Sequence, residues 1–165
     1  MKPRPARPSD IPELVRLRAE MIVNLNGAPG QTDEEWWPLT HAWFRQRLDS
    51  SRWAFRVIDG DHVLHAVGAA WLTEHLPSHD SPSGVRGYIG FMFTEPDARR
   101  RGYARLILQD LLAWLARQGL SRLELNASVE GIDLYRSAGF IDDPYVAMYR
   151  PVQDHSLPFT GDPER

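Results

Sequence analysis

The sequence predicts an α/β domain built on a mixed, mostly antiparallel sheet with helices on both faces. Three observations carry this expectation. Two segments of β-forming residues meet at the tight turn Asp59-Gly60-Asp61 and a third follows a loop, so hairpin pairing dominates the first set of strands. A strand–helix–strand unit then spans Tyr88 to Ala127, which makes the sheet mixed. Two helical patterns precede all of these. The 165 residues, 42% hydrophobic and 25% charged, suffice for one buried core.

In order, Ser9-Asp10-Ile11-Pro12-Glu13 reads as a helix start, with Ser9 as the N-cap, Pro12 in the first turn and carboxylates at the positive end of the dipole. Leu14, Leu17, Met21 and Leu25 follow at helical spacing, and Asn26-Gly27 with Pro29-Gly30 closes the segment. A second helix begins at Thr32-Asp33-Glu34-Glu35 and carries Trp36, Trp43, Phe44 and Leu48, with Pro38 interrupting its early part. Trp53 to Ile58 and His62 to Leu72 are the hairpin strands, and Leu76 to Gly87 is a loop by its Pro, Ser, Asp and Gly content.

Tyr88 to Phe93 is a strand, Ala104 to Gln118 an apolar helix stopped by Gly119, and Arg122 to Ala127 a strand with Leu123 and Leu125 on one face. A short helix through Asp133, Leu134 and Tyr135 ends at Gly139, and a final strand pair involves Phe140 and Tyr145 to Tyr149. Residues 1–150 form one domain, and 151–165, polar and proline-bearing, form a C-terminal tail or arm.

Composition narrows the function. With no cysteine there is no disulfide framework, thiolate nucleophile or Cys-based zinc site. A net charge of −3, with arginines scattered except at Arg99 to Arg101, gives no reason to expect a nucleic-acid partner. No apolar run approaches the roughly 20 residues that span a bilayer, and Met1-Lys2-Pro3-Arg4 leads into no signal-type apolar core, so a cytoplasmic location without membrane contact is expected. His79 with Asp80 is a single pair without further ligands, and no metal is expected.

The chemistry is concentrated in Phe91-Met92-Phe93-Thr94-Glu95-Pro96-Asp97-Ala98-Arg99-Arg100-Arg101-Gly102-Tyr103-Ala104. A strand ends at a proline, and a basic turn containing glycine opens an apolar helix. Unpaired N–H groups, the positive end of the helix dipole and nearby arginines there converge on an anion, most naturally phosphate oxygens. Gly102 removes a side chain where backbone must approach the ligand, and Ala104 keeps the next position small.

Arg99-x-x-Gly102-x-Ala104, directly after a strand and opening a helix, resembles the acetyl-CoA signature of the GNAT superfamily of N-acetyltransferases. Leu134-Tyr135 followed by Gly139-Phe140 resembles that superfamily's second hallmark, one helix and one strand downstream. The resemblance extends over about Lys2 to Arg150 and is closest between Tyr88 and Phe140. It implies the GNAT-like acyl-CoA N-acyltransferase fold, in which two central strands splay and the pantetheine arm lies in the opening.

By the same resemblance, pantetheine meets Met92, Phe93 and Thr94, and the pyrophosphate meets Arg99, Arg100, Arg101, Gly102, Tyr103, Ala104 and Arg105. Tyr135 is the general acid that protonates the departing thiolate. A phenol with pKa near 10 suits that task. Acetyl-CoA is the acetyl donor and an amine the acceptor, and the slightly acidic chain with the Trp36, Glu34 and Glu35 helix points to a small cationic amine. Three positions depart from the family pattern. Ser128 stands where an asparagine often contacts pantetheine, Gly131 where a small alanine is expected, and Tyr88 where some members carry a glutamate base.

The general base is therefore not assigned by the family pattern. Glu74 and His75, at the end of the third strand, are base candidates or plain loop residues, and Glu95 belongs to turn chemistry. Asn126 either reaches the cleft or merely terminates its strand. Trp36 with Glu34 and Glu35, near Trp37 and Trp43, either lines a pocket for a cationic amine or buries an aromatic helix face. Arg100 and Arg101 either touch phosphate or are solvated, and Tyr135 has packing as its alternative role. The chain is thus expected to be an acetyl-CoA-dependent N-acetyltransferase, with a catalytically silent acyl-CoA sensor or interaction domain as the second reading. A nucleotide-phosphate binder is disfavoured because no Gly-Lys-Ser/Thr follows the glycine turn. Strand pairing at a sheet edge or through the C-terminus gives a route to a homodimer.

Overall fold

A computed structural model of the chain describes residues 1–26 and 36–148. Strand β1 is the dipeptide Arg4–Pro5 and α1 spans Ile11–Asn26; α2 (Trp36–Arg47) follows. The strands β2 (Trp53–Asp59), β3 (Leu64–Glu74) and β4 (Val85–Thr94) come next, then α3 (Tyr103–Ala116), β5 (Leu123–Leu125) and α4 (Ile132–Ser137). The sheet order is β1-β2-β3-β4-β5, antiparallel throughout except for the parallel β4–β5 pair. The mixed α/β architecture expected from the sequence is present. No helix among the described residues is long and apolar enough to cross a membrane.

The start of α1 is organised by Asp10 rather than Ser9. Pro8–Asp10 form a 3-10 turn, and the Asp10 carboxylate accepts the Arg7 N–H at 2.7 Å and the Arg4 guanidinium at 2.7 Å. Arg4 also reaches Asp59 at 2.5 Å, so one side chain fastens the N-terminal strand to both α1 and β2. The spacing of Leu14 and Leu17 buries both completely, whereas Leu25 is 60% exposed and lies past the end of the apolar stripe. The expected start of α2 at 32–35 lies outside the described residues. Pro38 sits in the first turn of the described helix, where a missing N–H removes no intrahelical bond.

Alternation along the strands builds two cores, one on each face of the sheet. Leu14, Leu17, Phe44, Phe55, Val57, Val67 and Phe93 pack on the α1–α2 face, and Ile58, Ala70, Ile89, Ile107, Leu111 and Leu115 pack under α3. The two faces share a thin centre. A Cβ on Gly68 would lie 2.6 Å from Met92 Sδ, 3.1 Å from Leu111 and closer still to Ile107. Gly68→Val is therefore expected to lower the unfolding free energy by about 1–3 kcal/mol, read as a lower denaturant midpoint at unchanged m-value. A wild-type midpoint in this variant would show that α3 is not seated on β3 as described.

Two strand expectations need correction. Val85 to Gly87, read as loop from composition, extend β4 by pairing with Leu123 and with the end of β3. The final strand pair at Phe140 and Tyr145 to Tyr149 is not formed among the described residues: Arg122 binds the Asp143 carboxylate, which also accepts the Tyr145 N–H at 2.9 Å. Tyr145, Val146 and Met148 are at least 84% exposed. Tyr149, Arg150 and the expected tail lie outside the described residues.

Candidate functional site

The two central strands part. β4 and β5 pair only at Gly87–Leu123, Tyr88–Glu124 and Ile89–Leu125, so from Gly90 to Thr94 the β5-side edge of β4 has no strand partner. The same stretch carries a β-bulge. Val67 opposes Phe93 and Ala69 opposes Gly90, leaving Phe91 and Met92 both opposite Gly68. Phe91 takes φ +51°, a left-handed conformation unusual for an aromatic residue. The bulge turns Phe91 and Phe93 toward the α1–α2 core and Met92 toward α3, beside the edge of β4 that β5 has left.

One end of the gap is the turn before α3. Arg100 has φ +64° and Gly102, the N-cap of α3, has φ +80°. Left-handed residues interleaved with the first turn of a helix point successive amides into one concavity. The first bond back into this turn is Leu106 N–H to Gly102 O at 3.1 Å, so the amides of Tyr103, Ala104 and Arg105 are unpaired helix-start donors. Gly102 is needed here for its backbone angle, and a Cβ at this position would touch nothing within 4 Å.

The arginines divide by partner. Arg99 donates to Thr94 O at 3.2 Å and to Asn24 Oδ1 at 3.0 Å, tying the turn to β4 and α1. Arg100, Arg101 and Arg105 are exposed and have no side-chain partner among the described residues. Three exposed cations thus lie in and next to the turn that presents the helix-start donors.

The other end of the gap holds two phenols. Tyr135, on α4, is only 8% exposed, and its ring meets the edge of Phe140 at 6.1 Å. Burial raises its pKa, and the charge of Tyr88 adds to the rise, which places the two phenols near each other. Tyr88 is also raised, chiefly by burial, although the backbone N–H and side chain of Asn126 pull it partly back. Both phenols are protonated at neutral pH. Asn126 is thus brought to the gap. Gly131 precedes α4 rather than lying within it, and a Cβ there would stand 3.2 Å from the Tyr135 ring, so the glycine makes room for the phenol. Ser128 Oγ accepts the Gly131 N–H at 3.2 Å and keeps its own proton free to donate.

Glu74 and His75 are not brought to the gap. Glu74 pairs with Val85, five residues before Gly90, which corresponds to about 17 Å of strand. Its carboxylate meets Arg52 at 3.0 Å, and His75 Nε2 lies 3.0 Å from Thr73 Oγ1 and 3.9 Å from Glu124. Glu95 bonds Arg16 at 2.5 Å. Glu124 is next to Tyr88 in register, and burial alone would raise its pKa. Hydrogen bonds and charge from Arg122 and Arg86 outweigh burial and hold it below the ordinary range.

A second cavity, of about 410 Å³, opens on the α1–α2 face. Trp36 is in its wall, beside Trp43, Trp53, Trp71 and Phe91, while Glu34 and Glu35 lie outside the described residues. Trp43 also packs edge-on against Phe44 at 5.2 Å, so the aromatic face of α2 contributes to the core and the cavity wall together. Trp53, Trp71 and the Phe91 bulge were not legible as site residues, and Tyr88 was marked only as a departure at the family's base position. Gly68 and Gly90, glycines inside β-forming runs, were the available signal.

The sequence matches the family model described as "Acetyltransferase (GNAT) family" over residues 17–140. The fold is similar to a predicted acetyltransferase with acetyl-CoA from Clostridium acetobutylicum (TM-score 0.82, 23% identity, covering 93% of this chain and 98% of that one). It is also similar to a GCN5-related N-acetyltransferase from Ralstonia eutropha JMP134 (TM-score 0.78, 24% identity, 92% and 97% covered). A third similar structure is the aminoglycoside N-acetyltransferase AAC(6')-Iy in complex with CoA (TM-score 0.68, 16% identity, 91% and 98% covered). The sequence matched no curated protein.

Proposed function

The chain belongs to the GNAT acetyltransferase family, and on that premise we propose that it transfers the acetyl group of acetyl-CoA to a primary amine of a small molecule by direct attack in a ternary complex. One observation supports this reading above the others: a single gap in the sheet has an anion nest at one end and a buried phenol at the other. Acetyl-CoA has the matching polarity, with pyrophosphate at one end of pantetheine and thioester at the other.

The pyrophosphate lies against the amides of Tyr103, Ala104 and Arg105, with Arg100, Arg101 and Arg105 closing over it. Arg99 acts one step back, by holding the turn against Thr94 and Asn24. Pantetheine runs along the unpaired edge of β4 at Met92 and Phe93, with Asn126 and Ser128 facing it from across the gap. Backbone donors at the Phe91 bulge polarise the thioester carbonyl. The neutral amine attacks that carbon, the C–S bond breaks, and the departing thiolate takes the Tyr135 proton. The proton lost by the amine leaves to solvent, and Tyr135 is reprotonated from water after CoA departs.

The test is thiol release from acetyl-CoA with a panel of small primary amines, run beside calorimetric titration with acetyl-CoA and with ATP. We expect acetyl-CoA to bind and at least one amine to release thiol. Binding without release for every amine would leave the silent acyl-CoA sensor as the better reading. Binding of ATP without CoA would overturn both.

A further inference from the structure

The cavity on the α1–α2 face has a composition that speaks to its occupant. Two of its lining rings, Trp53 and Trp71, stack at 4.8 Å and 17°, and the row continues past the lining to Tyr88, 4.7 Å from Trp71. Gly90 permits this row, because a Cβ there would come within 2.7 Å of the Trp71 indole. The row ends at Tyr88, within one residue of the place where β4 leaves β5, and Phe91 of the bulge lines the cavity itself, so the cavity adjoins the gap.

Charge is the second observation. The described lining of the cavity contains no Asp or Glu, and its one ionised side chain is Arg18. Arg18 is half-buried, its guanidinium lies 6.0 Å from the Phe91 ring centroid, and it has no ion pair or hydrogen bond among the described residues. Its neighbour Arg16 has both Glu13 and Glu95, so carboxylates are near at hand but are directed away. Arg47 sits over Trp43 at 4.3 Å, outside the lining, and adds to the positive field. Burial also opposes the charge on Arg18, which an arginine cannot relieve by losing its proton. A desolvated guanidinium facing an aromatic cavity calls for a planar anion.

Resting on the acetyltransferase reading, we propose that the acceptor is a primary amine carrying a flat apolar or aromatic body and a carboxylate, the body lying on the Trp53–Trp71 row and the carboxylate on Arg18. A polycation of the aminoglycoside kind meets only positive charge among the described residues of this lining. The amine of the proposed acceptor points along the ring row toward Tyr88 and the bulge.

The experiment uses matched probes with the full chain: L-phenylalanine against 2-phenylethylamine, 4-(aminomethyl)benzoate against benzylamine, and kanamycin as the polycation. Thiol release gives kcat/KM, and quenching of tryptophan fluorescence gives binding in the absence of chemistry. We expect the carboxylate member of at least one pair to be favoured about 10- to 100-fold in kcat/KM and in Kd, as a charge-assisted bidentate contact requires. Arg18→Gln should remove that preference while leaving acetyl-CoA affinity within about twofold; Arg18→Lys should restore part of it. Carboxylate-selective quenching without thiol release would overturn the acetyltransferase reading and keep the Arg18 cavity only as a binding site for such carboxylates. Equal handling of both members of every pair, or preference for kanamycin, overturns the proposal.

Discussion

Gly102→Glu should abolish acetyl-CoA binding while leaving the fold intact. Gly102 holds φ +80° at the N-cap of α3, and the space where its Cβ would lie is empty to 4 Å. The folded state therefore loses only the backbone term for an L-residue in a left-handed well, about 1–2 kcal/mol. That amounts to a fall in Tm of a few degrees. The carboxylate, however, would stand at the mouth of the Tyr103, Ala104 and Arg105 amides. There it accepts the hydrogen bonds meant for a pyrophosphate and repels the ligand's own charge.

The loss should exceed about 100-fold in Kd by calorimetry, equivalent to more than about 2.7 kcal/mol. Gly102→Ala separates the two effects, since it carries the same backbone strain without the charge and should weaken binding by less than about tenfold. Raising ionic strength should improve the Glu variant relative to the Ala variant, because part of its defect is repulsion between solvent-exposed charges. If Glu and Ala bind alike, the helix start is not the pyrophosphate site.

The glycine turn was legible because it joins two local demands, a left-handed angle and a helix start, both written in residue types. That two central strands part followed from family resemblance, which pointed to Met92, Phe93 and Thr94, whereas the opening begins already at Gly90. The bulge that shapes it did not, because a left-handed phenylalanine leaves no mark in a β-forming run; Phe91 stands with Met92 opposite Gly68 and packs on Phe44. β1 was missed for a similar reason. Two residues, one of them proline, carry no pattern, and their pairing with Val57 and Arg56 depends on Arg4 bridging Asp10 and Asp59 across 55 positions of chain.

The aromatic cavity was half legible. Trp36 could be placed at an acceptor site, but that Arg18 shares its cavity depends on how α1 rotates over the sheet, and Glu34 and Glu35 lie outside the described residues. Helical spacing gives the buried stripe of α1 as Leu14, Leu17 and Met21. It does not say that Arg18, one position from the stripe, lies over Phe91.

Tyr135→Phe should separate binding from chemistry. The ring packs among apolar side chains, and its hydroxyl has no hydrogen-bond partner among the described residues, so the phenylalanine variant forfeits no internal bond. Its Tm should match the wild type within about 2 °C, and its acetyl-CoA Kd within about twofold. Turnover should fall about 10- to 100-fold, at or below the usual contribution of a positioned proton donor. The fall should appear in kcat with KM for the amine nearly unchanged, since the proton moves only as the C–S bond breaks.

The pH profile supplies the sharper reading. An acid must be protonated to act, and burial with the nearby Tyr88 charge raises the Tyr135 pKa above the ordinary value of 10.0. Activity dependent on it is therefore full at neutral pH and is lost only as pH climbs past that raised value. In Tyr135→Phe this alkaline loss should vanish, and the residual rate should simply follow the ionisation of the amine. Tyr88→Phe is the necessary companion, because Tyr88 faces Asn126 at the same gap and its phenol is likewise protonated. If Tyr88→Phe alone lowers kcat and erases the alkaline limb, the thiolate takes its proton from the strand rather than from α4. If each single variant loses little and the double variant loses about 100-fold, the two phenols substitute for one another as proton donors.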